Sequence, residues 1–397
     1  MTQPTRTLIA ASLLAALASA ASLAQAQGTL SIAFADPISS ADPQLNNHAG
    51  DRSLALHLWD SIINSRDGGK LEPALASSWK SLDDRTWEFK LRNDIKWQDG
   101  TPFTADDIVF SFQRARAVPG SLASYAGALR TVESTTAKDA HTVIIKTNTP
   151  NPMLPLDIAS IYIVSKHIGE KSKTEDYNAG RATIGTGPYK LVSYTPGDRT
   201  VFERSPSHYG PKPLWDKVNY RFINNGAART AALLSGDVDV IDKVAVTDVE
   251  KLRKTPTVSV FTYPGLRVLL LQPSFRAGPN EFITDNAGKP LAQNPLLDVR
   301  VRQALSVAIN RKAIVDRVLQ GTVTEANQWM PKGTFGYNGE VKDINFNAEQ
   351  AKKLLAEAGF PQGFQISSHV PGDRYPQAPE TIQAVAQFWT RIGVKTK

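Results

Sequence analysis

The 397-residue sequence contains no cysteine. Disulfide staples, thiolate metal centres and thiol nucleophiles are thereby excluded, and stability must come from burial. Only three methionines are present, Met1 among them, so a soft thioether copper site has no donors. The six histidines, at positions 48, 57, 141, 167, 208 and 369, lack the paired or i, i+4 spacing of a metal set and read as surface or packing residues. The signatures G-x-S-x-G, H-E-x-x-H and G-x-x-x-x-G-K-[ST] do not occur. Gly185-Thr186-Gly187 begins like a dinucleotide loop, but position 190 is Lys and Pro188-Tyr189 leads into a strand; a tight turn or crossover is the better account. Asp237-Val238-Asp239 lacks the spacing and following glutamate of a calcium loop and reads as a solvated strand end. Neither an enzyme nor a cofactor is expected.

Long apolar runs are confined to the beginning of the chain. Leu8 to Ala20 is apolar or small, preceded by Arg6 and followed by Ala24-Gln25-Ala26. A spanning helix needs roughly 20 residues, so residues 1–26 are expected to be a cleaved signal peptide. No cysteine stands at the cleavage point to accept a lipid, which predicts a freely soluble mature protein. Lys and Arg number 45 against 38 Asp and Glu, and they lie among the acids instead of forming the basic stripe that a phosphate backbone requires. Nucleic acid is not an expected partner.

What is present is an α/β alternation in a chain longer than one hydrophobic core usually organises. Trp87 to Arg92 alternates apolar and charged residues, and Asn93-Asp94 predicts a turn into Ile95-Lys96-Trp97, an antiparallel hairpin. Val218 to Phe222 repeats the alternation, and Tyr189–Tyr194 with Thr200–Glu203 forms a weaker pair. Helices are signalled by caps: Thr104 before Ile108, Asp298 before Val301, Asn310 after Ile309, and Asn347 before Ala351 and Leu355. A further short helix should run from Ala227 to Ser235 and stop at Gly236.

Several pieces in order resemble the family 5 extracellular solute-binding proteins, which include the dipeptide- and oligopeptide-binding proteins of ABC importers. They are Ala41-Asp42-Pro43-Gln44, Leu71-Glu72-Pro73-Ala74-Leu75-Ala76 with Trp79, Trp87 to Arg92, and Ile95 to Val109. Gly185 to Tyr189, Leu234 to Asp239, and Val299 to Leu305 with Ala308-Ile309-Asn310-Arg311 complete the set. The resemblance implies an α/β, two-lobed periplasmic-binding-protein-like fold of type II with an extra subdomain and mixed β-sheets flanked by helices. By analogy, residues 28–70 and 182–263 build lobe I, 71–181 the subdomain and 264–397 lobe II, with Tyr263-Pro264-Gly265 as the hinge. Family members continue beyond the helix and strand that Thr381 to Lys397 represents, so lobe II is expected to be incomplete at its C-terminus.

The implied function is periplasmic capture of a di- or oligopeptide by closure of the lobes and delivery to inner-membrane permease subunits, by a monomer. Nickel complexes, haem, oligosaccharides or opines are alternative ligands on the same fold, and a periplasmic hydrolase or holding chaperone is a reading of another class. By the resemblance, Arg374 takes the place of the arginine that binds the peptide carboxylate in dipeptide binders. A planar guanidinium can pair both carboxylate oxygens at once. Asn46, Asn47 and His48 match the lobe I segment that touches ligand in relatives. Arg267, just past the hinge, and Trp329 are the remaining candidates for lining the cleft.

Overall fold

The computed structural model describes residues 28–66, 69–263, 265–372 and 375–397. The expected leader over 1–26, Pro264 of the expected hinge and Arg374 lie outside the described residues. The fold divides into two compact units, one ending at Lys243 and the other beginning at Val244.

In the first unit the strands are β1 (Thr29–Phe34), β2 (Ile63–Ser65), β3 (Leu71–Pro73), β4 (Ala76–Ser81), β5 (Thr86–Leu91) and β6 (Val132–Asp139). β7 (Thr142–Thr147), β8 (Tyr189–Thr195), β9 (Arg199–Arg204), β10 (Lys217–Phe222) and β11 (Val240–Ile241) follow. They make a five-stranded sheet ordered β11-β1-β10-β9-β8, a four-stranded sheet ordered β4-β5-β7-β6, and the β2-β3 pair. The larger sheet is mixed, because β1 runs parallel to β10 and β11 while β9 is antiparallel to β10 and β8. Period-two alternation fixes its register: Val218 and Tyr220 of β10 face inward with Phe202 of β9, and all three are buried.

One expected pairing is corrected. Strand β5 does not form a hairpin with Ile95 to Trp97; it lies between β4 and β7, with Phe89 opposite Val143 and Trp87 opposite Ile145. Both edges of β5 are taken by strands whose apolar residues close the core, and this nonlocal burial outweighs a local turn. Residues 95–103 instead fold into a tight loop, where Trp97 N–H donates to the Thr101 carbonyl at 2.8 Å and Phe103 N–H to the Ile95 carbonyl at 3.1 Å. The loop delivers the chain to the Ala105–Ala115 helix, whose Asp107 carboxylate accepts the Thr104 N–H at 2.9 Å. Ile108, Phe112 and Ala115 fall on one face of that helix and are buried.

The second unit carries β12 (Ile283–Thr284), β13 (Gln365–Ile366) and β14 (Lys395–Thr396) in that sheet order. Helices Val299–Val307, Arg311–Arg317, Ala348–Glu357 and Ala378–Thr390 accompany this small sheet. The starts of the first three are set by side-chain caps: Asp298, Asn310 and Asn347 accept the N–H groups of Arg300, Ala313 and Gln350 at 2.8, 2.9 and 2.9 Å. Val301, Ala304, Ala351, Leu355, Phe364 and Trp389 form the centre of this unit's core. The Trp389 indole N–H donates to the Leu305 carbonyl at 2.9 Å, so the one polar atom of that ring is satisfied.

Candidate functional site

Residues 35–48 connect β1 to the Ala49–Leu58 helix, and the stretch from 39 onward is pinned from several directions. Asp51, in the first turn of that helix, accepts the Ser39 N–H at 2.6 Å, the Ser39 hydroxyl at 2.7 Å and the Ser40 N–H at 3.3 Å. An acid at this position also complements the positive end of the helix. The Ser40 hydroxyl and Ala41 N–H both donate to Asn178 Oδ1 at 2.8 Å. Asp42 is held at two points by Arg114, at 2.9 and 2.6 Å, and accepts the Thr174 hydroxyl at 2.8 Å. Gln44 donates to the carbonyls of Ser111 and Tyr162 at 3.1 and 2.8 Å and accepts from Arg114 at 3.1 Å. The Arg114 guanidinium lies 4.8 Å from the Tyr177 ring centre. Burial works against the Arg114 charge, but the hydrogen bonds to Asp42 overcome it and raise its pKa.

The segment then runs beside Ser121–Ala123. Asn46 forms a parallel bridge with Ala123, and Asn47 N–H donates to the Ala123 carbonyl at 2.8 Å. Asn46 Oδ1 accepts the N–H groups of Leu122 and Ala123 at 2.9 and 3.3 Å, while its amide donates to the Ser39 hydroxyl at 3.2 Å. Both the oxygen and the nitrogen of the Asn46 amide are thus bonded to protein, and the side chain is buried. Successive residues of an extended segment alternate sides, so Asn46 points in and Asn47 points out. In this parallel register Leu122 shares the outward face with Asn47, and it is 88% exposed. His48 is exposed, with Nδ1 3.8 Å from the Asp51 carboxylate. The loop thus presents the Asn47 amide, the His48 imidazole and the Leu122 side chain to solvent on a backbone held by buried bonds.

Of the other expected site residues, Arg267 and Trp329 belong to the second unit. The Arg267 guanidinium lies 5.7 Å from the Tyr375 ring centre, and both Arg267 and Trp329 are exposed. Asn46, Asn47 and His48 are consecutive residues of the first unit. Sequence reasoning missed Leu122 and Arg114, because neither belongs to a local motif of the 42–48 segment.

The Gly185-Thr186-Gly187 crossover packs directly on the end of the Ala49–Leu58 helix. Gly187 N–H donates to the Leu58 carbonyl at 3.0 Å, and a Cβ on Gly185 would fall 1.7 Å from that oxygen. The glycines serve close backbone approach, which accounts for the motif without a nucleotide. Among the described residues no group of three His, Asp or Glu side chains could hold a metal ion, and no helix is long and apolar enough to cross a membrane. A cavity of about 340 Å³ in the first unit is lined by Trp97, Thr104, Asp106, Ser165, Lys166 and His167 among others, and none of the expected site residues reaches it.

The chain belongs to the bacterial extracellular solute-binding proteins, family 5, whose middle-region profile matches residues 70–397. It is 28% identical over 366 residues to the dipeptide-binding protein of Escherichia coli K12, covering 86% of this chain and 65% of that one. Similarity to heme-binding protein A of Haemophilus influenzae is 29% over 364 residues, covering 85% and 64%. The solved unliganded open form of the murein tripeptide-binding protein MppA superposes with a TM-score of 0.71 at 27% identity, covering 94% of this chain and 74% of that one. The chain thus spans less than two thirds of the length of the first two relatives, 65% and 64%.

Proposed function

We propose that this chain is the ligand-capturing component of an ABC importer, a periplasmic solute-binding protein that takes a di- or short oligopeptide. The observation that carries the reading is the Asn46 to His48 segment, whose backbone is fixed by buried bonds while Asn47, His48 and the neighbouring Leu122 stay open to solvent. A peptide backbone needs fixed donors and acceptors, and its side chain needs an apolar wall. The dipeptide-binding relative supports the same class of ligand.

In this reading residues 28–70 and 182–263 form one lobe, 71–181 its extra subdomain and 264–397 part of the other, with the hinge near Tyr263. Arg374 supplies the fork for the peptide carboxylate, and Arg267 and Trp329 add to the second lobe's wall. No covalent step is required. Ligand contacts on both lobes favour the closed form, and the closed form is what membrane permease subunits recognise.

The test is a thermal-shift and calorimetric screen of the purified chain against Ala-Leu, a tripeptide, hemin, nickel–histidine and maltotriose. A ligand at 100 times its Kd adds about 2.7 kcal/mol of stability, so a true ligand gives an unmistakable shift. Peptides should stabilise, and Arg374→Ala should weaken Ala-Leu by about tenfold or more while leaving its C-terminally amidated form little changed. Stabilisation by hemin alone would replace the peptide reading with the haem reading that the second relative suggests.

A further inference from the structure

Many of the bonds that fix residues 40–47 come from elements far away in sequence. Arg114 belongs to the Ala105–Ala115 helix, Leu122 and Ala123 to the loop that follows it, and Thr174 and Asn178 to the Thr174–Asn178 helix. Asp42 is fully buried, and its carboxylate is met by the Arg114 guanidinium, the Thr174 hydroxyl and the Gln44 N–H, which together answer the cost of burying it. The Ser121 hydroxyl bonds the Leu45 carbonyl, adding one more tie. None of these donors needs to meet a ligand to do its work.

We infer that the portion of the chain carrying Arg114, Ser121–Ala123, Thr174 and Asn178 is a splint for the 40–48 loop, with Arg114 its principal positioning residue. The inference rests on the peptide-binding reading for its functional consequence. The splint fixes the backbone that carries the exposed residues Asn47, His48 and Leu122, so a ligand meets groups whose backbone ordering entropy has already been lost on folding. It assigns a task to the extra subdomain that does not require ligand contact by the Arg114 or Asn178 side chains.

The experiment pairs hydrogen exchange with calorimetry on the full chain, well below its melting temperature, using Ala-Leu as the probe. Arg114→Lys keeps the charge and loses the two-point geometry. Exchange of the 40–47 amides should accelerate, and Ala-Leu affinity should fall by about tenfold. Asn46→Ala, which cuts the tie to Leu122 and Ala123, should do the same should Arg114→Lys fold poorly. Arg229→Lys is the control, since Arg229 is a buried arginine of the same unit bonded to the carbonyls of Ile223, Asn224, Asp242 and Lys243. It should leave both readouts within about twofold of the parent.

Unchanged exchange at 40–47 in both Arg114→Lys and Asn46→Ala overturns the splint. Faster exchange with unaltered affinity overturns its role in binding, as does an equal loss in Arg229→Lys. If the unmodified chain ignores Ala-Leu, the peptide reading fails, and the exchange measurement alone still decides whether the splint exists.

Discussion

Thr186 Oγ1 donates to the partly buried Asp60 carboxylate at 2.8 Å, tying the Gly185–Gly187 crossover to the residue that follows Trp59. His208 reaches the same crossover, with Nδ1 3.2 Å from the Thr186 carbonyl. Burial raises the Asp60 pKa, and the Thr186 hydrogen bond, nearby His208 and the Tyr209 hydroxyl only partly offset it.

The pH consequence of Asp60 has a definite sign. The folded chain holds this proton to higher pH than the unfolded chain, so the contribution is complete below the ordinary value of 3.8 and is lost as pH rises through the folded value. Asp60→Asn keeps the size and can still accept from Thr186, but it does not titrate. The melting temperature of the parent should therefore rise relative to Asp60→Asn as pH is lowered from neutrality toward the carboxylate range. A difference that is flat or moves the other way refutes the assignment.

His57 predicts the opposite slope. Its ring stacks on Phe202 with centres 4.8 Å apart and planes 7° from parallel, and Nδ1 lies 2.7 Å from the Ser53 carbonyl. Burial lowers its pKa, and the hydrogen bond to Ser53 offsets only part of that. Its contribution is therefore whole above 6.5 and is lost as pH falls from there through the folded value. His57→Phe preserves the stacking and removes the charge. Between neutrality and mild acid the parent should lose more stability than His57→Phe, which denaturant melts at a series of pH values will measure.

The caps were legible because they are local. Asp298, Asn310 and Asn347 each bond an N–H two or three residues on, so sequence spacing contains the whole interaction. Strand alternation was legible for the same reason at Val218 and Tyr220. The partners of β5 were not, since Trp87 to Leu91 carries no mark of β4 or β7, and the tempting Asn93-Asp94 turn leads into a loop. The 42–48 segment came from family resemblance, yet its support did not: Asp42 and Arg114 stand 72 positions apart, and a pair so separated leaves no periodic trace. Alternation along Asn46 and Asn47 could have shown that one must point inward, though not what it would meet.

Trp389 should be the most costly single truncation in the second unit. The side chain is buried, packs in the core with Val301, Leu305 and Val385, and satisfies the Leu305 carbonyl. Trp389→Ala is expected to cost about 3–5 kcal/mol, from lost burial and the cavity left behind. Trp389→Phe keeps most of the ring but strands the Leu305 carbonyl, at a cost of about 1–3 kcal/mol. Urea unfolding followed by far-ultraviolet circular dichroism will rank them, and equal midpoints for parent and Trp389→Ala would remove this residue from the core.

Gly185 and Gly100 separate two reasons for glycine. A Cβ on Gly185 would meet the Leu58 carbonyl oxygen at 1.7 Å, and that oxygen belongs to a helix end that cannot swing aside as a side chain can. Gly100 has a φ of +87° with open space around its position, so only backbone preference opposes a side chain there. Gly100→Ala should cost about 1–2 kcal/mol and leave the fold intact. Gly185→Ala must push the crossover off the helix, breaking the Gly187 to Leu58 bond and the Asp60 tie, and should cost more than the roughly 1–3 kcal/mol usual for overpacking. Thermal melts of the two variants side by side provide the measurement. Equal small losses would mean that the crossover yields without strain, and that its close approach to Leu58 is not what the glycine secures.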